Sequence, residues 1–196
     1  MTFADELERW LESDDGKTLG AMERLFAEKT FATTIFFLMF VPALPLPTGG
    51  VTVLFETMAM VVAAQMVLGR RTLWLPERWK DRELGELTTA RAIPFMARWV
   101  RRFERFSRPR AAPLFDRRWT LRILGLLLMA LAIASALAPP FSGLDTVPAV
   151  GAVIVALSII LEDVVVLAVG VVVGLIGIGI ILAIGAAFLD LVGRLL

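Results

Sequence analysis

Apolar residues fall along this chain in long blocks, not in the alternations of a soluble amphipathic domain. Windows 35–68, 121–138, 147–161 and 164–189 are almost free of charge. Blocks of this length and purity predict membrane-embedded helices. Two of the blocks are broken. Pro42, Pro45, Pro47, Gly49 and Gly50 interrupt 31–69, and Pro139, Pro140, Gly143 and Pro148 interrupt 121–163. Proline lacks a backbone donor and crowds the preceding turn, so neither block can be one continuous helix. Each reads as helix, broken tip, helix, with the tip either a turn outside the membrane or the apex of a re-entrant hairpin. The re-entrant form is favoured, and it requires the freed backbone groups to face protein or water. The alternative is that the prolines do no more than end helices in short turns.

The pattern divides the chain into five parts: N-terminal interfacial helices (1–30), a first broken hairpin (31–69), a connector (70–120), a second broken hairpin (121–163) and a C-terminal membrane helix (164–196). The expected fold is all-α and polytopic. The arm ending at Val41 covers only about 16 Å at helical rise, roughly half a hydrocarbon core. The arm from Val51 to Leu68 is long enough to cross with little margin, and it carries two misfits, Glu56 and Gln65. A carboxylate facing lipid is costly, so Glu56 must be paired, protonated, near an interface or turned to a polar interior. The second block repeats the order of the first, with Asp145 as the acidic residue near its tip. Asp145 is alternatively a cap for the helix beginning near Val147. Gly170, Gly174, Gly177 and Gly185 fall close to one face of the last helix, where small residues let a neighbour approach. That neighbour is internal or a second copy of the chain.

Charge orients this plan. Residues 70–122 hold fifteen of the twenty Lys and Arg residues against six acidic ones, a balance of +9. The positive-inside rule assigns such a loop to the cytoplasm. Within it, Arg98, Arg101, Arg102 and Arg105 oppose an apolar face formed by Ile93, Phe95, Met96, Trp99, Val100, Phe103 and Phe106. That is the pattern of an interfacial helix on an anionic leaflet, and it disfavours nucleic acid as the partner. Trp74 with Pro76 reads as an anchor where the second arm leaves the membrane. The segment 3–29 carries −4, with a helical apolar face at Leu19, Met22, Leu25 and Phe26. The first thirty residues lack the basic stretch and apolar core of a cleavable signal.

Composition narrows the chemistry. Hydrophobic residues make up 58% of the chain, and the mean hydropathy is +0.77. Cysteine, histidine and tyrosine are absent. This removes disulfides, thiolate nucleophiles and the side chain most used as a general base near neutral pH. No metal site, cofactor or catalytic residue is expected, and an enzyme is disfavoured. The candidate substrate-binding set is Glu56, Gln65, Asp145, Thr48, Thr52, Ser142 and Arg70, gathered around facing tips.

Four phrases together carry a resemblance: FVPALPLPTGG (40–50), AAQMVLGRRTLWLP (63–76), the basic connector, and PPFSGLDTVPAVGAVIVALSIILED (139–163). The chain resembles the ExoD family of bacterial inner-membrane proteins, linked to exopolysaccharide synthesis, from about Leu19 to Leu191. It departs from the family's PxPPG-like tip at Pro45-Leu-Pro47-Thr-Gly49, from its proline before Trp at Leu73, and from its acidic-glycine pair at Glu162-Asp163. The resemblance implies a multi-pass protein of the inner membrane and carries over no nucleophile, metal or cofactor. In architecture alone it is also similar to DedA-like lipid transporters with two re-entrant hairpins.

The expected function is to move or present a lipid-linked or anionic substrate for polysaccharide synthesis or export. The expected partners are anionic lipids and lipid-linked glycan or polysaccharide machinery. A non-catalytic scaffold for that machinery is the alternative, and a lipid-modifying membrane enzyme ranks third.

Overall fold

The computed structural model describes residues 29–44, 51–70, 73–74, 112–115, 117–139 and 142–195, with isolated positions at 9, 12, 94, 98, 101 and 102. The described residues are helical, without strands. The elements are α1 (Thr30–Phe40), α2 (Val51–Val67), the short α3 (Ala112–Phe115), α4 (Arg118–Ala136), α5 (Thr146–Leu161) and α6 (Val164–Leu195). Two of them, Arg118–Ala136 and Val164–Ala187 within α6, are long and apolar enough to cross a membrane.

The hairpin arms form where the apolar blocks predict them and stop where proline and glycine begin. α1 runs to Phe40, and Pro42 falls in the turn after it. α4 ends at Ala136, just before Pro139. Pro148 is tolerated in the first turn of α5, where its missing N–H would have no helical partner.

The two hairpins pair side by side, α2 along α4 and α1 along α5. Their ends fix the directions. Lys29, just before α1, donates to Ile160 O at the end of α5, 2.7 Å away. Ser135, near the end of α4, meets Glu56 near the start of α2. At the other end of that pair, Gly125 of α4 packs on Met66 and Val67 of α2. Both tips therefore lie at one end of the bundle. The chain entry at Lys29, the exit at Arg70 and the start of α4 lie at the other. Ile35, Phe36, Met39, Leu128, Leu131, Val155 and Leu157 fill the core between the hairpins.

The basic end is closed by polar contacts. Gly69 adopts φ +73° in the turn leaving α2, and the Arg122 guanidinium sits where a side chain at Gly69 would be. This puts a cation beside the carbonyl end of α2, which the helix dipole favours. Gln65 accepts from Trp74 N at 2.7 Å and donates to Trp74 O at 3.3 Å, pinning the segment after α2. Lys29 pairs with Glu162 at 2.6 Å. Glu162 takes the left-handed conformation (φ 54°) that ends α5. The buried Asp163 then caps α6, its Oδ1 accepting from Val165 N at 2.8 Å.

α6 packs antiparallel to α5 along a glycine seam. A methyl group on Gly151 would strike the Gly174 backbone, one on Gly170 would strike Val155, and one on Gly177 would strike Pro148. Three of the four glycines expected on a contact face make that contact inside the chain. Among the described residues, nothing lies within 4 Å of a side chain built at Gly185. α6 passes the first turn of α5 at Gly177, about 20 Å from its own start, and its apolar run continues about 18 Å further, to Leu189.

Candidate functional site

The tip end is where polar chemistry meets the apolar core. Glu56 lies in the second turn of α2, one helical turn beyond Thr52, so both point to one side of the helix. Both are buried, and Glu56 is 1% exposed. Across from them, Ser135 is 1% exposed between Ala134 and Ala136, whose small side chains let α2 come close. Ser135 Oγ lies 2.5 Å from Glu56 Oε1 and 3.0 Å from the main-chain oxygen of Asp145. That same oxygen accepts the helical bond from Ala149 N at 3.1 Å. One serine thus joins α2 of the first hairpin to the tip of the second.

The sequence-derived set divides in space. Glu56 and Asp145 come together, with Thr52 one turn away. Asp145 stands at the N-cap of α5 but its side chain makes no capping bond, so the capping alternative is not what the structure has. Ser142 closes its own turn, donating to Pro139 O and accepting from Leu144 N on the exposed rim. Gln65 and Arg70 lie at the opposite end of α2, about 14 Å or more along the helix from Glu56. Helical rise separates residues that proximity in sequence had grouped. Thr48, Pro45, Pro47, Gly49, Gly50 and Pro140 lie outside the described residues. Pro42 is buried, Pro139 exposed, and Gly143 holds φ +67° in the second tip.

Of the arginines expected on the interfacial face, Arg98 and Arg102 are exposed and Arg101 is half-buried, all three in helical conformation. Arg105 and most of 91–107 lie outside the described residues. Trp74 and Trp119 are exposed at the basic end, where Arg122 stacks 5.9 Å from the Trp119 ring.

Sequence reasoning missed Ser135. A signal was available, because it is the one polar residue in the eighteen-residue run 121–138 apart from Arg122, and it stands one turn before the tip. A hydroxyl spends little in lipid when it bonds back to its own helix, which is why it passed as neutral. Among the described residues, no group of three carboxylates gathers as a metal site would need. The Glu56 carboxyl group, the Ser135 hydroxyl and the main-chain carbonyl of Asp145 form a buried polar junction.

An uncharacterized protein of Synechocystis sp. (strain ATCC 27184 / PCC 6803 / Kazusa), slr1875, is 27% identical over 142 residues. The match covers 71% of this chain and 66% of that relative, just under two thirds of its length. No solved structure matches. The family model described as "Exopolysaccharide synthesis, ExoD" matches residues 3–183. Spanning both hairpins, the connector and most of α6, that match makes this chain a member of the ExoD family, whose role is in exopolysaccharide synthesis.

Proposed function

We propose that the protein moves or presents a lipid-linked or anionic substrate for exopolysaccharide synthesis, at a polar junction between two tips that enter the inner membrane from the cytoplasmic side without crossing it. The observation that carries this reading is the meeting of Glu56, Ser135 and Asp145 at one end of the bundle. Depth supports the re-entrant part. The apolar run of α6 continues about 18 Å past the first turn of α5. If that run lies in hydrocarbon, the tips stop short of the far surface.

Charge supports the orientation. Lys29, Arg70, Arg117, Arg118 and Arg122 all belong to the end opposite the tips, as positive-inside bias requires of a cytoplasmic face. Those cations, with the connector arginines, would collect anionic lipid headgroups beside the bundle. Buried polar groups at membrane depth cost free energy, and a role in binding gives them a reason to stay.

The test is polysaccharide output and membrane protein level in Glu56→Gln and Asp145→Asn strains, alone and combined. The reading expects reduced output at normal protein level. Full output in all three would leave the tips as helix terminators and favour a scaffold for the polysaccharide machinery.

A further inference from the structure

Ser135 has one hydroxyl hydrogen and faces two oxygens, Glu56 Oε1 at 2.5 Å and the Asp145 carbonyl at 3.0 Å. If Glu56 is a bare carboxylate, both are acceptors and the one hydrogen must be shared between them, so neither contact has a full donor. A second hydrogen on Glu56 completes the chain. The acid O–H donates to Ser135 Oγ, and the Ser135 O–H donates to the Asp145 carbonyl.

The surroundings of Glu56 lead to the same place. Residues 30–69, 123–161 and 164–189 contain no Lys or Arg, and the chain has no His. α1, packed against α2, brings no ionisable side chain. α4 brings the Ser135 hydroxyl, with Arg122 at its far end beside Gly69. The second tip brings Asp145, itself acidic, whose main-chain oxygen shares Ser135 with Glu56. Among the described residues, therefore, no Lys or Arg faces this buried carboxyl group. A separation of 2.5 Å between two oxygens lies at the short limit of an O–H···O hydrogen bond.

We propose that Glu56 is a proton-binding site, with its acid hydrogen donated to Ser135 Oγ and the Ser135 hydrogen passed to the carbonyl of Asp145. This goes beyond the polysaccharide reading and stands without it. The relay links different hairpins, so parting of the tips would break it and expose the acid to water. Proton release would then accompany tip opening.

The test is infrared spectroscopy of the full chain reconstituted in lipid at neutral pH, reading the carboxylic-acid C=O stretch. The expected band moves on 13C-glutamate labelling but not on 13C-aspartate labelling. It is lost in Glu56→Gln, kept in Asp145→Asn, and shifted in frequency in Ser135→Ala. Absence of a glutamate acid band from the folded protein would overturn the proposal, as would a band that survives Glu56→Gln or ignores Ser135→Ala. Should Glu56→Gln not accumulate, the isotope labels and the Ser135→Ala shift decide alone. Because no readout here is polysaccharide output, failure of the proton site is distinct from failure of the substrate reading.

Discussion

Ser135 of the second hairpin holds Glu56 of the first through a 2.5 Å hydrogen bond, both side chains being 1% exposed. The bond crosses the interface between α2 and α4 at the tip end, so losing it leaves a buried carboxyl group without its serine partner. Ser135→Ala is expected to lower stability by about 1–3 kcal/mol, the cost of a buried polar group deprived of its hydrogen bond. Ser142→Ala, on the exposed rim, should change it by less than about 0.5 kcal/mol. Thermal unfolding of both variants in one detergent decides. Equal effects would mean that the buried bond carries no special weight.

Topology is open to direct labelling because the chain lacks cysteine. With the basic end in the cytoplasm, Asp14→Cys and Ala90→Cys should react with a membrane-impermeant thiol reagent only from inside, and Arg194→Cys only from outside. Ser142→Cys separates the two forms of the tip. A sunken apex should resist the reagent from outside, whereas a turn beyond the far surface should react there as readily as Arg194→Cys.

The legible part of this fold was what lipid and backbone chemistry dictate. Charge-free blocks gave the arms, and proline with glycine gave the breaks, so α1, α2, α4 and α5 lie where composition put them. Pairing between hairpins was not legible, because nearly uniform apolar helices carry little directional pattern to say which face meets which neighbour. Glu56 and Asp145 stood out as acids among apolar residues. Ser135 did not, and only the antiparallel pairing of α2 with α4 brings it to Glu56. Gln65 stood out for the same reason as Glu56, yet nine residues of helix carry it to the other end, where it holds Trp74.

The clamp at the basic end has two opposing parts. Glu162 sits at φ 54°, which costs a residue with a Cβ about 1–2 kcal/mol. Its half-buried pair with Lys29 offsets about 0–1 kcal/mol of that. Glu162→Gly removes both and should leave stability within about 1 kcal/mol of wild type. Lys29→Met removes the pair and the bond to Ile160 O while keeping the strain, so it should destabilise by about 1–3 kcal/mol. A melting temperature that falls more for Glu162→Gly than for Lys29→Met would reverse this account.

The seam between α5 and α6 makes the sharpest contrast within one helix. A methyl group on Gly151 would collide with the Gly174 backbone, a contact too close to relax cheaply, whereas one on Gly174 would meet the movable end of the Leu131 side chain. Gly185 lies on the same helix, about 17 Å beyond Gly174, and has open space around it. Gly151→Ala should therefore overpack the seam and destabilise by about 1–3 kcal/mol, with Gly174→Ala milder because a side chain can move. Gly185→Ala should be neutral or gain about 0.5–1 kcal/mol from helix propensity. Membrane accumulation and thermal unfolding of the three variants measure this order. Loss of accumulation in Gly185→Ala comparable to Gly151→Ala would mean that the far half of α6 is covered too, and that the glycine face continues into a contact with a second copy of the chain.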